Sequence, residues 1–188
     1  MFISKFMLNR QKILNNWQIH QFIESHFPGR EVKAGCDYLY RLEWYKIGVV
    51  IPVLVYSRLR PEMRVCKEFQ LIECEEKQQL FDHRIKNAEF SLFLVPDERS
   101  DFDPAEDFDK ITSELNKKLK GLAKLEDIAQ GPNNCIYYDV DETGFFQQTI
   151  TLNGSIQIKD PEGLQEKIME GFGRRPELGC GLLLIKQS

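Results

Sequence analysis

At 188 residues, 42% hydrophobic and 29% charged, the chain has the composition of a globular protein and the length of one large domain or two small ones. No apolar run reaches the roughly 18 residues of a membrane span, and the N-terminus lacks the apolar core and cleavage site of a secretory signal, so no membrane association is expected. The net charge of −4, from 25 basic and 29 acidic residues, argues against a stand-alone nucleic-acid binder unless the cations cluster. Five scattered cysteines without C-x-x-C spacing read as reduced thiols in a cytoplasmic protein. The histidines and carboxylates show no metal-ligand spacing, so neither metal nor cofactor is expected.

Residues 1–8 are mainly apolar on both alternating sets, which predicts a buried central strand. Asn15-Asn16 caps a helix over about 17–26, with Ile19, Phe22 and Ile23 as its buried stripe. Trp17, His20 and Gln21 share a second face, because positions three and four apart are neighbours. Strands follow at 38–42 and 49–56, the second carrying Pro52, which suggests an edge or a bulge. A short helix over 61–67 and a strand from 69 complete a β-α-β-β-α-β order, the ferredoxin-like split unit.

The second half repeats the pattern: a strand at 89–95, then an acidic stretch over 97–110 with seven acidic and two basic residues. A helical stripe of Phe108, Ile111, Leu115, Leu119 and Leu122 comes next, then strands at 135–140 and 147–158. Asp160-Pro161 opens a helix that Gly171 stops, and an apolar strand closes the chain. The expected fold is α+β: two ferredoxin-like domains with antiparallel sheets, over 1–78 and 86–188.

Three features carry chemistry. The stretch from Gly171 to Gly181 holds four glycines (Gly171, Gly173, Gly179, Gly181) and the pair Arg174-Arg175 in eleven residues. Glycine permits close backbone approach, successive N–H groups form anion nests, and arginine forks suit phosphate. Such a cluster also simply joins a helix to a strand. His20 is a proton carrier near neutral pH, or an ordinary helix histidine. Lys117, Lys120 and Lys124 share one face of the second-half helix, and either track phosphates or form a solvated surface. Arg58 and Arg60 could serve equally.

The string G-F-G…L-G-C-G-L-L at the C-terminus resembles the close of the CRISPR RAMP proteins, and of their CasE branch in particular. Trp17-Gln18-Ile19-His20, followed by Phe27-Pro28, is similar to that branch's aromatic-x-x-His helix, and Tyr38-Leu39-Tyr40-Arg41 to its F-L-Y-R strand. The resemblance covers roughly 1–60 and 147–186. It implies tandem ferredoxin-like (RRM-like, RAMP) domains and a metal-independent endoribonuclease. That enzyme would cut CRISPR repeat RNA beside a hairpin, retain the crRNA and sit with other Cascade-type subunits. His20 becomes the acid/base with Trp17 beside it. Arg41, the glycine loop with its arginines, and the lysines become RNA contacts. Two departures stand out. The family's aromatic is typically tyrosine, and Trp17 has no hydroxyl. The family strand F-R-L-R-A-N-P is here Phe90-Ser91-Leu92-Phe93-Leu94-Val95-Pro96, without its arginines or asparagine, and it leads into acidic residues. Both departures leave room for a non-catalytic RNA-hairpin binder or a protein scaffold.

Overall fold

The computed structural model describes residues 1–9, 15–27, 37–43, 50–64, 67, 69–95, 107–132, 134–140 and 143–186. Two antiparallel sheets account for its strands. β1 (Phe2–Asn9), β2 (Tyr38–Leu42), β3 (Val50–Ser57) and β4 (Phe69–Glu76) form the first, in the order β2-β3-β1-β4. β5 (Asn87–Leu94), β6 (Ala123–Gln130), β7 (Asn134–Val140), β8 (Thr143–Ile158) and β9 (Leu183–Lys186) form the second, in the order β6-β8-β5-β9, with β7 hung on β8. Leaving out β7, the two sheets have the same strand order. The fold is therefore α+β, with tandem ferredoxin-like units.

Each helix forms on an apolar stripe, and the first and third add a side-chain cap. Asn15 accepts a hydrogen bond from the Gln18 N–H at 3.0 Å and starts α1 (Asn16–Glu24), which buries Ile19 and Ile23. α2 (Phe108–Lys118) buries Ile111 and Leu115. Asp160 accepts from the Gly163 N–H at 3.0 Å and starts α3 (Pro161–Glu170), which buries Leu164 and Ile168. No described helix is long and apolar enough to cross a membrane.

Four expectations need correction. Pro61–Arg64 and Lys67 are not helical, so among the described residues the first unit lacks its second helix. Among the described residues of this run only Pro61 is buried, too few to hold a helix on the sheet. β3 is an inner strand despite Pro52. Pro52 lies one residue beyond β2's last pair, Leu42 with Val53, and its carbonyl still accepts the Glu43 N–H at 3.0 Å, so its missing donor disrupts no ladder bond. β6, whose period-two pattern is broken at Asp127 (φ 48°), escaped the periodicity reading. β8 starts earlier than expected, its first half pairing with β7 and its second with β5 and β6. The acidic stretch lies outside the described residues up to 106.

β2 joins the two halves. Tyr38, Tyr40 and Leu42 face the first core with α1, while Leu39 belongs to the second core, with Phe90, Leu92, Ile168 and Phe172. The linker is also tied down: Phe81 is buried in the second core, and the Leu80 N–H donates to Gln165 of α3 at 2.8 Å.

Candidate active site

α1 presents Trp17 and His20 from successive turns towards the junction between the halves, and their rings lie 5.2 Å apart, centroid to centroid. Trp17 packs on a third apolar cluster of Phe93, Val95, Ile136, Tyr138, Leu178 and Cys180. His20 is half-buried, and its Nδ1 lies 3.0 Å from the Tyr38 hydroxyl. Tyr38 is itself buried and stacked on Phe27 at 5.1 Å and 13°. The imidazole therefore sits between an indole and a phenol that core packing holds in place. Residues 28–36 and 44–49, outside the described residues, flank this region in the chain.

The glycine loop docks against the same junction. The Tyr40 hydroxyl donates to the Glu177 carbonyl at 2.7 Å, and the Asn16 side-chain amide donates to the Leu178 carbonyl at 2.8 Å. Burial raises the Tyr40 phenol well above its usual pKa and also pushes up the Cys180 thiol, so both stay neutral under the loop. The close approach that Gly179 and Gly181 permit is to the protein's own chain. A Cβ at Gly179 would meet the Tyr40 ring at 2.8 Å, and one at Gly181 the Phe172 carbonyl oxygen at 2.5 Å. Gly171 ends α3, and Gly173 lies against the Val95 carbonyl.

The two loop arginines differ. Arg174 is bonded through its backbone to the Val95 carbonyl at 2.8 Å, and its side chain is exposed. Arg175 takes a left-handed backbone (φ 61°), pairs with Glu177 at 3.0 Å and donates to the Tyr138 hydroxyl at 3.2 Å, its guanidinium 5.6 Å from that ring's centre. Tyr138 also touches the Trp17 cluster, so one aromatic links Arg175 to the His20 side of the junction. The β7–β8 hairpin extends this surface with Phe145 stacked on Tyr138 and Phe146 against Tyr137. All but Tyr138 are exposed.

Other expected contacts are not brought to this place. Both terminal nitrogens of Arg41 donate to Ser91, to its carbonyl at 3.1 Å and its hydroxyl at 2.9 Å, which ties the two sheets together. α2 ends at Lys118, and Gly121 (φ 88°) turns the chain into β6, so Lys117, Lys120 and Lys124 do not share a helix face. Burial of Leu119 and Leu122 on the core drives that turn. Lys124 pairs with Glu126 at 2.7 Å, and Arg58 with Glu166 at 3.0 Å. Ser91 and Phe93, where the resemblance expects arginines, serve Arg41 and the Trp17 cluster instead. Sequence reasoning missed Tyr38 and Tyr138 as members of the site. Nothing in a strand's alternation reveals which phenol reaches across to a helix.

Comparison with known proteins gives a consistent pattern. A family model described as "CRISPR associated protein" matches residues 139–187. The CRISPR system Cascade subunit CasE of Escherichia coli (strain K12) is 24% identical over 98% of both chains. The crystal structure of the CRISPR-associated protein Cas6e from E. coli K-12 superposes with a TM-score of 0.76 at 22% identity, over 100% of both chains. Thermus thermophilus Cse3, bound to an RNA representing a pre-cleavage complex, gives 0.75 at 18% identity, again over 100% of both. The resemblance to the CasE branch thus runs the full length of the chain and includes the middle, where the sequence motifs are loose.

Proposed function

We propose that this protein is a metal-independent endoribonuclease that cuts CRISPR repeat RNA, retains the crRNA hairpin and works with other Cascade-type subunits in the cytoplasm. The observation that carries the reading is His20: a half-buried imidazole fixed at Nδ1, at the junction where the glycine loop and Arg175 also meet. RNA supplies its own nucleophile, the 2′-hydroxyl. His20 takes the proton of that hydroxyl as its oxygen attacks the adjacent phosphorus, and returns a proton to the departing 5′ oxygen. The products are a 2′,3′-cyclic phosphate and a 5′-hydroxyl end. Trp17 contributes a wall and a stacking face, not a proton. We read the domains as 1–78, which carries His20, and 86–188, which carries the glycine loop.

The test is cleavage of the cognate repeat RNA in EDTA. His20→Ala should lose about 10²–10⁴-fold in rate, the usual contribution of a general acid/base, and a 2′-deoxy substitution at the cut site should stop the reaction. Normal cleavage by His20→Ala refutes this site. A second reading, an RNA-hairpin-binding subunit without cleavage, is favoured by Trp17, whose indole has no hydroxyl to offer at the phosphate. It predicts salt-dependent binding of intact RNA with no product.

A further inference from the structure

His20 is held from one side by a residue whose own position is over-determined. Tyr38 is paired with Ser57 in the β2–β3 register, its ring is buried and stacked on Phe27, and its hydroxyl lies 3.0 Å from His20 Nδ1. Trp17, 5.2 Å from the imidazole, limits rotation on another side. An imidazole with Nδ1 engaged by a phenol exchanges protons with a ligand through Nε2. For Nε2 to act as a base its lone pair must be available, so the proton of the neutral ring sits on Nδ1. For Nε2 to act as an acid both nitrogens are protonated. In both states Nδ1–H donates and the Tyr38 oxygen accepts.

We propose that Tyr38 is the positioning residue of this site. It accepts the Nδ1–H of His20, orients the ring and selects the tautomer in which Nε2 does the proton transfer. This rests on the endoribonuclease reading above. The 2′-oxygen–phosphorus bond forms and the phosphorus–5′-oxygen bond breaks. The 2′-hydroxyl proton passes to Nε2, the Nε2 proton passes to the 5′ oxygen, and Tyr38 neither gains nor loses one. The phenol thereby supplies, from β2, a hydroxyl partner for the histidine that Trp17 cannot supply from α1.

Tyr38→Phe removes only the oxygen and keeps the ring and its stack on Phe27. With the full-length protein and cognate repeat RNA, kcat should fall by about 10–100-fold, the range typical of losing the partner that orients a metal-ligating histidine. KM and RNA affinity should hold. The limb of the pH–rate profile that belongs to His20 should move to lower pH, because the lost acceptor favoured the imidazolium. Nitrogen-15 NMR of the RNA-free protein reads the same contact without activity: His20 should carry its proton on Nδ1, and Tyr38→Phe should shift it towards Nε2 and lower the titration midpoint. An unchanged kcat in an active enzyme, or an unchanged His20 tautomer and midpoint, overturns the proposal. If the wild-type protein cuts no repeat RNA, the endoribonuclease reading falls, and the NMR comparison alone still decides whether Tyr38 holds the ring.

Discussion

His26, six residues beyond His20 and just past the end of α1, has a different environment and a different consequence. Its Nδ1 donates to the Phe22 carbonyl at 2.8 Å, and its ring lies edge-on to Phe6 and Phe69 at 5.0 and 5.8 Å. Among the described residues no hydrogen-bond partner meets its buried Nε2. Burial therefore lowers its pKa from the ordinary 6.5, against the smaller raising effect of the Phe22 bond. A lowered histidine pKa means that the unfolded chain takes up the proton first as pH falls. Stability should thus be full above about pH 6.5 and decline as pH drops towards the folded-state pKa, by at most about 1.4 kcal/mol per pH unit. His26→Phe should flatten that part of the curve in denaturant titrations between pH 7 and pH 5, whatever it does to absolute stability. A variant curve parallel to the wild type would show that another group is responsible.

At the scale of the element, the glycine loop is a joint before it is a cradle. Its 3-10 turn, Pro176–Leu178, is bonded to Asn16 and Tyr40 of the first half, and its backbone is bonded to β5 through Gly181 N–H to Phe93 at 2.7 Å. Gly181→Val combines positive-φ strain of about 1–3 kcal/mol with overpacking of about 1–3 kcal/mol against Phe172. The loss should therefore appear in the unfolding midpoint without RNA present, and any loss of RNA affinity should follow it. A folded Gly181→Val protein of wild-type stability would show that the loop relaxes around the new side chain.

Across the whole molecule, the net charge of −4 means that RNA must be met by a local cluster rather than by a general field. Arg174 is exposed at the junction, whereas Arg175 is shared with Glu177 and Tyr138. Arg174→Ala should weaken RNA binding and flatten the salt dependence of log K by about 0.7 per phosphate contact on a single strand, or about 0.9 on a DNA-like duplex. Its melting temperature should hold, since exposed charges add little stability. Arg175→Ala should lower both affinity and melting temperature. Neutralising Lys117, Lys120 and Lys124, which lie on a helix end, a turn and a strand, is the matched comparison. An unchanged slope in Arg174→Ala places the phosphate contacts elsewhere.

Local chemistry alone determined much of this protein. The caps at Asn15 and Asp160, the stripes of α1 to α3 and the apolar closing strand are short-range patterns, and each is legible in consecutive residues. The aromatic-x-x-His spacing that singled out His20 is equally local. What needed tertiary structure is whatever depends on residues far apart in the chain. Only the fold shows that Tyr38 reaches His20, that Arg41 is engaged by Ser91, that Tyr40 fills the space beside Gly179, and that α2 stops before Lys120 and Lys124. A side chain's partner across a junction is set by packing between elements, and neither period 2 nor period 3.6 encodes it.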